Sequence, residues 1–168
     1  MLKTPIARGV ALATLGATLA IPTMAQAAFI EDTKAGLELR NFYFNRDYRE
    51  DPGQSKQEEW GQGFLLRVES GYTEGTVGFG VDALALQGVK LYSSEETAGS
   101  GLMPSAYGNE APDDWSSFGL TGKAKVSETV LKVGTLQFKN PAIGTSDSRL
   151  LPQTMQGAQI ISKEIKGL

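Results

Sequence analysis

The chain lacks two residue types on which much enzyme chemistry depends, because its 168 residues include no cysteine and no histidine. No disulfide bond, no Ser-His-Asp or Cys-His catalytic site and no zinc site of the usual His/Cys type can be built from these residues. A catalytic pair of carboxylates stays open, since there are 19 acidic residues, but no spacing singles one pair out. We therefore expect no enzyme, no catalytic residue, no cofactor and no metal site.

Long hydrophobic runs are absent beyond the N-terminal segment. That segment has the layout of a secretory signal peptide: Lys3 and Arg8 come first, Gly9–Ile21 is apolar, and Ala25-Gln26-Ala27 offers a cleavage site. The apolar run has 13 residues, whereas a transmembrane helix needs roughly 20. The sequence predicts a signal peptide over residues 1–27 and export by the Sec route.

The charge balance argues against nucleic acid as a partner. The full chain has 16 basic and 19 acidic residues, and removal of Lys3 and Arg8 with the signal peptide leaves a net charge of −5. A mildly acidic exported chain does not complement the charge of DNA or RNA. We expect no nucleic-acid partner.

Alternation of apolar with small or charged residues is the main pattern of the exported part. Residues Gly63–Ala85 predict two strands joined by a short turn, Gly71–Gly75, because strand side chains point to opposite faces with a period of two. The apolar positions are Phe64, Leu66, Val68, Val77, Phe79, Val81, Ala83 and Ala85. Many of the 20 glycines also lie inside alternating segments, where they leave open space on a water-facing wall. An apolar face opposite a wet one is typical of a transmembrane β-barrel.

Four further segments alternate in the same way, so the sequence predicts about six strands in all. These segments are Lys34–Arg46, Ser117–Val126, Thr129–Phe138 and Gly157–Lys166. The short connections are Gly71–Gly75 and Ser127-Glu128, and the long polar ones are Asp47–Gln57, Gln87–Trp115 and Asn140–Gln156. Short periplasmic turns alternate with longer extracellular loops in outer-membrane barrels. The predicted fold is all-β, an antiparallel up-and-down transmembrane barrel.

The number of strands bears on the domain organisation. Single-chain outer-membrane barrels begin at about eight strands, so six cannot close. We interpret residues 28–168 as the N-terminal third of a larger barrel, truncated at its C-terminus, that forms an open curved sheet. Aromatic residues near the strand ends predict interfacial girdles, although ordinary sheet packing is an alternative. They are Phe42, Tyr43, Phe44, Trp60, Tyr72, Trp115 and Phe118.

Three stretches resemble the OprD-type outer-membrane porins of Pseudomonas and its relatives. They are AFIEDTKAGLELRNFYFNRDYRED at Ala28–Asp51, EEWGQGFLLRVESGYTEGTVGFGVDALALQGVKL at Glu58–Leu91, and SRLLPQTMQG at Ser148–Gly157. The resemblance implies a barrel of about 18 strands in the bacterial outer membrane, in contact with lipid and lipopolysaccharide, as a monomer or a weak homotrimer. It further implies passive diffusion of small carboxylate-bearing solutes (amino acids, peptides or aromatic acids) past an inward-folded third loop and a ladder of basic residues.

Charged residues on the polar face are the predicted substrate pathway. The basic members are Arg40, Arg67, Lys123, Lys125 and Lys132, opposed by Glu38, Glu69 and Asp82. The three lysines lie on neighbouring strands and could form one patch, which would concentrate anionic solutes in a narrow pore. The alternative is that each charge is simply solvated or paired with an acidic neighbour.

Arg149 is the leading candidate for a single substrate-binding residue. It lies in the third long connection, within the stretch that resembles the family's constriction loop. A guanidinium can hold a carboxylate with two parallel hydrogen bonds. The alternative is a structural role, in which Arg149 fixes the loop to the barrel wall through an acidic partner.

A second class of protein competes with the porin. A secreted, soluble β-sandwich that binds a ligand through its loops would also be rich in short alternating strands. It predicts a core between two sheets and solubility without detergent, whereas a barrel predicts a single curved sheet with an exposed apolar face.

Overall fold

The computed structural model describes residues 28–49, 53, 55–105, 110–139 and 142–165. The predicted signal peptide, residues 1–27, lies outside the described residues. One helical turn at residues 28–31 precedes the first strand. Six strands follow: β1 (Lys34–Asp47), β2 (Lys56–Glu69), β3 (Gly78–Tyr92), β4 (Asp114–Val126), β5 (Thr129–Leu136) and β6 (Met155–Ser162).

The strands form a single antiparallel sheet in sequence order. Each strand pairs with the next one along the chain, from β1 with β2 to β5 with β6. Such a sheet grows by hairpins and can curl until its edges meet. The predicted all-β, up-and-down architecture is confirmed, as is the number of strands in this part of the chain.

The strands beside the long connections extend further than their alternation indicates. β2 begins at Lys56 and β3 continues to Tyr92, so the two strands have 14 and 15 residues. A tilted strand needs only about 9–11 residues to cross a bilayer. The turn predicted at Gly71–Gly75 covers residues 70–77 instead. Hydrogen bonds from Ser70 N to Val81 O and from Thr73 N to Phe79 O hold this longer turn closed.

One face of the sheet is apolar and uncovered. Leu37, Leu66, Ala85 and Phe118 are aligned across four neighbouring strands on this face. Phe118 keeps 67% of its surface exposed and Ile160 keeps 70%. Within the described part of the chain, no second sheet packs against this apolar face. An apolar area of this extent marks a surface that contacts lipid or another protein.

An aromatic row crosses the apolar face near the long connections. Tyr43 pairs with Trp60, and Trp60 pairs with Tyr92 across an irregularity in the β2–β3 register. The indole Nε1 of Trp60 donates to Asn41 Oδ1 at 2.9 Å, and the hydroxyl of Tyr43 donates to Glu58 Oε1. Rings with an apolar body and a hydrogen-bonded edge are typical of a membrane interface.

Four of the predicted girdle aromatics lie on the polar face, among them Tyr72, whose ring centre is 4.9 Å from Lys123 Nζ. Phe42 pairs with Gly61 and Phe44 with Glu59, both on the polar face. The ring of Trp115 lies over Gly88, where a Cβ would come within 2.3 Å of it. The girdle assignment of Phe42, Phe44, Tyr72 and Trp115 is therefore wrong, because these rings lie on the face opposite Tyr43 and Trp60.

The buried core lies on the polar face, under the long connections. We call residues 48–55 loop 1, residues 93–113 loop 2 and residues 137–154 loop 3. Leu102, Met103 and Ala111 of loop 2 and Leu150 of loop 3 form an apolar cluster, against which Phe44 and Trp115 pack. No helix in the described residues has the length and the hydrophobicity that a membrane-spanning helix requires.

Candidate functional site

The strand register brings all the charged residues predicted for the wall onto the polar face. Glu38 pairs with Leu65, and Arg40 with Gly63, on the face that Arg67 and Glu69 share. The register places the other charged residues on this face as well. Glu69 pairs with Asp82, Gly80 with Lys123, Gly78 with Lys125, and Lys123 with Lys132. The charges divide into two groups at different heights on the sheet.

The first group joins the wall to loop 3. Arg40 Nη1 and Nη2 donate to the two oxygens of Asp147 at 2.7 and 3.2 Å, a bidentate pair. Its Nε donates to Glu38 Oε1 at 2.6 Å, and Glu38 Oε2 accepts from Arg67 Nη1 at 2.8 Å. Because the Arg40 guanidinium stabilises the carboxylate of Asp147, the pKa of Asp147 lies below its ordinary value.

The second group lies nearer the short turn and centres on Asp82. Lys123 Nζ is 2.5 Å from Asp82 Oδ1, and Lys132 Nζ is 3.3 Å from Asp82 Oδ2. Lys123 also donates to the carbonyl of Ser70 at 2.6 Å and lies 4.9 Å from the centre of the Tyr72 ring. Its side chain is only 6% exposed, so Lys123 contributes little free positive charge to the surface.

Two of the predicted cations remain unpaired. Among the described residues, Lys125 and Arg149 make no ion pair, and both are exposed. The other predicted cations of the wall, Arg40, Arg67 and Lys132, all have acidic partners. Two lysines of the predicted patch thus share the single carboxylate of Asp82, and Lys125 is the unpaired member of the patch.

Loop 3 packs against the polar face of the sheet. Leu150 is fully buried between loop 2 and β2, and its backbone N donates to Leu102 O at 3.2 Å. Glycines make this approach possible: a Cβ on Gly61 would lie 2.7 Å from Leu150 Cδ2, and one on Gly63 would lie 3.1 Å from Leu150 O. Side chains at these two positions would push the loop away from the wall.

Arg149 lies between the two attachments of loop 3. Asp147, two residues earlier, is held by Arg40, and Leu150, the next residue, is buried. Arg149 itself borders a recess of about 240 Å³ together with Phe42, Phe44 and Ser148, and with Gly101 of loop 2. The recess therefore combines one free guanidinium with two aromatic rings. That pairing suits a flat anion, because the rings supply apolar contact and the guanidinium binds a carboxylate.

A groove beside the second charge group completes the polar face. The groove has a volume of about 190 Å³, and its lining includes Arg67, Asp82, Thr121, Lys132 and Gln159. Glu69 also borders the groove and is exposed. Its lining is mixed in charge, since Asp82 and Glu69 offset Arg67 and Lys132.

Sequence reasoning missed three residues that position the loops. Asp147 and Leu150 fix loop 3, and Glu59 is buried beneath loop 2. The structural role weighed for Arg149, an ion pair from loop to wall, belongs to Arg40 and Asp147 instead. Glu59 follows another glutamate, Glu58, so the sequence does not show which of the two is buried. Asp147 pairs with Arg40, which is 107 residues away in the chain, so no local pattern predicts that contact.

Comparison with known proteins identifies the family. A model of the OprD family, described as outer membrane porins, matches residues 27–168. The chain belongs to the OprD family of outer membrane porins. Porin-like protein GalP of Pseudomonas putida is 47% identical over 154 residues, which cover 92% of this chain and 37% of GalP. The chain thus spans about a third of the length of the curated relatives it matches.

Solved structures of OprD-family porins have the same fold. OccK9 (OpdG) of Pseudomonas aeruginosa is 51% identical with a TM-score of 0.81, over 83% of this chain and 36% of that one. OpdK of the same species, solved with vanillate, is 42% identical with a TM-score of 0.73, over 83% of this chain and 34% of that one. The six strands are accordingly one part of a curled β-barrel, and the alternative of a soluble sandwich is wrong.

Membership of the OprD family also decides the class of protein and its location. The relatives are porins, which are channels and not enzymes, so the prediction that the chain is not an enzyme is confirmed. OprD-family porins are proteins of the outer membrane of Gram-negative bacteria. The apolar face is therefore the face that meets lipid, and the polar face borders the lumen.

Proposed function

We propose that the whole protein is a passive outer-membrane channel for small carboxylate-bearing solutes, and that Arg149 is its substrate-contacting residue in this part of the barrel. The observation that carries the proposal is the setting of Arg149: an unpaired guanidinium held between two fixed points of loop 3, on the lumen side of the wall. An unpaired cation in a confined pore raises the local concentration of anions and replaces part of their lost hydration.

The lining of the recess supports aromatic acids within this class. Phe42 and Phe44 lie beside Arg149, and one OprD-family relative was solved with vanillate, an aromatic carboxylate. Amino acids and peptides would use the guanidinium but gain less from the two rings. We place an aromatic acid first and the aliphatic carboxylates second.

The other predicted residues have different parts in this proposal. Lys125 is a second free cation, nearer the short turn, that would draw anions through the lumen. The cations Arg40, Arg67, Lys123 and Lys132 line the pathway in ion pairs with Asp147, Glu38 and Asp82, and Glu69 borders the groove beside them. We further propose that residues 1–27 direct Sec export and that lipopolysaccharide contacts the aromatic row. The weak homotrimer stays a prediction.

Replacement of Arg149 tests the proposed function. In the full-length parent, Arg149→Ala is expected to raise the half-saturation concentration of a carboxylate solute roughly tenfold. The reason is that one charge-assisted hydrogen-bonded contact is worth about 1.5 kcal/mol. Liposome swelling with benzoate and with an uncharged sugar of similar size separates a change in selectivity from a change in pore width. Arg149→Lys keeps the positive charge but loses the planar guanidinium, so its half-saturation concentration should fall between those of the parent and Arg149→Ala.

Lys139→Ala is the matched control, since Lys139 is an exposed cation of the same loop. It should leave carboxylate flux close to that of the parent. Unchanged carboxylate flux in Arg149→Ala, with normal heat-modifiable migration as a sign of an assembled barrel, would overturn the proposal.

A further inference from the structure

Glu59 is the most buried charged residue on the lumen side of the sheet. It is 2% exposed and belongs to β2, beside the start of loop 2. Its Oε1 accepts from the hydroxyl of Ser93 at 3.3 Å, and its Oε2 accepts from the backbone N of Ser100 at 3.0 Å and from the Ser100 hydroxyl. No basic side chain within the described ranges pairs with it, so loop 2 supplies all the donors recorded for this carboxylate.

The Glu59 contacts fix loop 2 at its start and in its middle, and Ser93 links the start of the loop to its end. Ser93 opens the loop, and its Oγ accepts from the backbone N of Ala111, near the end of the loop, at 3.2 Å. Ser100 lies in the middle, and its Oγ accepts from the backbone N of Leu102 at 3.1 Å. A single carboxylate therefore organises the segment that carries Leu102, Met103 and Ala111.

Those three residues form the floor on which loop 3 rests. Leu150 packs into the cluster of Leu102, Met103 and Ala111 and donates its backbone N–H to Leu102 O. At its other end loop 3 packs Phe138 over Gly157 of β6, so Leu150 is the fully buried apolar contact next to Arg149. If loop 2 lifts from Glu59, the site that holds Leu150 opens with it.

Leu150 is the residue next to Arg149, so the position of the guanidinium follows from this attachment. We propose that Glu59 is a positioning residue for the channel constriction: it holds loop 2, loop 2 holds Leu150, and Leu150 sets where Arg149 stands in the lumen. Glu59 does not border the recess at Arg149. It acts on selectivity only through the two loops. This inference rests on the proposed function, because it assigns a further residue to the same site.

The test separates loop position from transport. In the full-length parent, two introduced cysteines, Thr76→Cys in the short turn and Ser148→Cys in loop 3, carry spin labels for a pulsed-EPR distance measurement. Both positions are exposed, and this chain has no cysteine of its own. We expect a narrow distance distribution in the parent and a broader, shifted one after Glu59→Gln, which removes one acceptor oxygen. Leu150→Ala should give the same shift, because it removes the attachment itself.

Glu95→Gln is the matched control, an identical change at an exposed glutamate of loop 2. It should leave the distances as they are in the parent. The functional readout is the anion-to-cation permeability ratio in planar bilayers, which Glu59→Gln should move towards the value of Arg149→Ala, with unchanged heat-modifiable migration.

Parent-like distances in both Glu59→Gln and Glu59→Ala would overturn the coupling. Failure of the proposed function has a different signature. In that case Arg149→Ala leaves the permeability ratio unchanged, while the distances still respond to Glu59.

Discussion

Gly134 shows how one residue sets the path of a strand. Its φ is +137°, and a Cβ there would lie 2.2 Å from the carbonyl oxygen of Leu120. Just beyond it, Thr121 Oγ1 donates to Thr135 O at 2.6 Å. Thr135, which alternation places on the apolar face, lies over Gly119 on the polar face instead. A period-two pattern cannot register such a change, because only the backbone conformation of Gly134 reveals it.

Replacement of this glycine should weaken the sheet. Gly134→Ala is expected to lower the free energy of unfolding by about 1–3 kcal/mol, because alanine is strained at this φ. The close contact between the new Cβ and Leu120 O would lower it further. Urea unfolding of the full-length protein in lipid vesicles measures it. Gly36→Ala is the control, since a Cβ on Gly36 would have no atom within 4 Å and the φ of Gly36 is not in the left-handed region. Equal unfolding midpoints for the two variants would contradict this account.

Individual ion pairs on the wall were the least predictable contacts. The sequence pattern places Arg40, Glu38 and Arg67 on one face, and the structure agrees. Alternation cannot say that Arg40 binds Asp147, because that contact depends on the route of loop 3 across the lumen. Likewise, it places Lys123 near Lys132 but does not reveal that Asp82 lies between them. The face that a side chain occupies depends on its position in the strand, whereas its ion-pair partner depends on segments that are distant in the chain.

At the scale of elements, the strands were easiest to predict where they cross lipid. β4 and the centre of the β2–β3 hairpin alternate clearly because one side must be apolar there. The start of β2, Lys56–Trp60, carries four polar residues in a row and gives no such signal. Beyond the aromatic row, both faces of a strand meet water or loops, so nothing selects for alternation and the boundary is lost.

Around Arg149, loop 3 is held by the apolar contact of Leu150 and by the ion pair of Asp147 with Arg40, and the ion pair depends on pH. Because Arg40 lowers the pKa of Asp147, the ion pair stabilises the docked loop fully above the unfolded aspartate value of about 3.9. That contribution is lost as the pH falls through the lower, folded-state pKa. We expect steady single-channel currents from pH 7 to about pH 4 and more frequent fluctuations below it.

Asp147→Asn provides the control for this pH dependence. The amide cannot ionise, so the variant should fluctuate already at pH 7 and should show no further onset near pH 4 from this site. If Asp147→Asn keeps the steady current of the parent at pH 7, the ionic attachment does not hold the loop.

For the whole molecule, the two faces of the sheet carry separate tasks. The apolar face, with its row of Tyr43, Trp60 and Tyr92, is a lipid surface, and its continuity from β1 to β4 was predictable from alternation. The polar face is a lumen wall on which loops 2 and 3 build a small core. That core was not predictable, since Leu102, Met103 and Leu150 lie in irregular segments that carry no periodic pattern. Selectivity in our account depends on this core more than on the wall.

The central claim, that one face of the sheet contacts lipid and the other borders water, is tested most directly by a nitroxide scan of β4. Single cysteines at positions 117–125 of the full-length protein in bilayers report their accessibility to oxygen, which concentrates in lipid, and to a water-soluble nickel chelate. Our account predicts oxygen maxima at Phe118, Leu120, Gly122 and Ala124, and nickel access at Ser117 and Lys125. Low oxygen accessibility at Phe118 and Leu120, or a profile without a period of two, would contradict it.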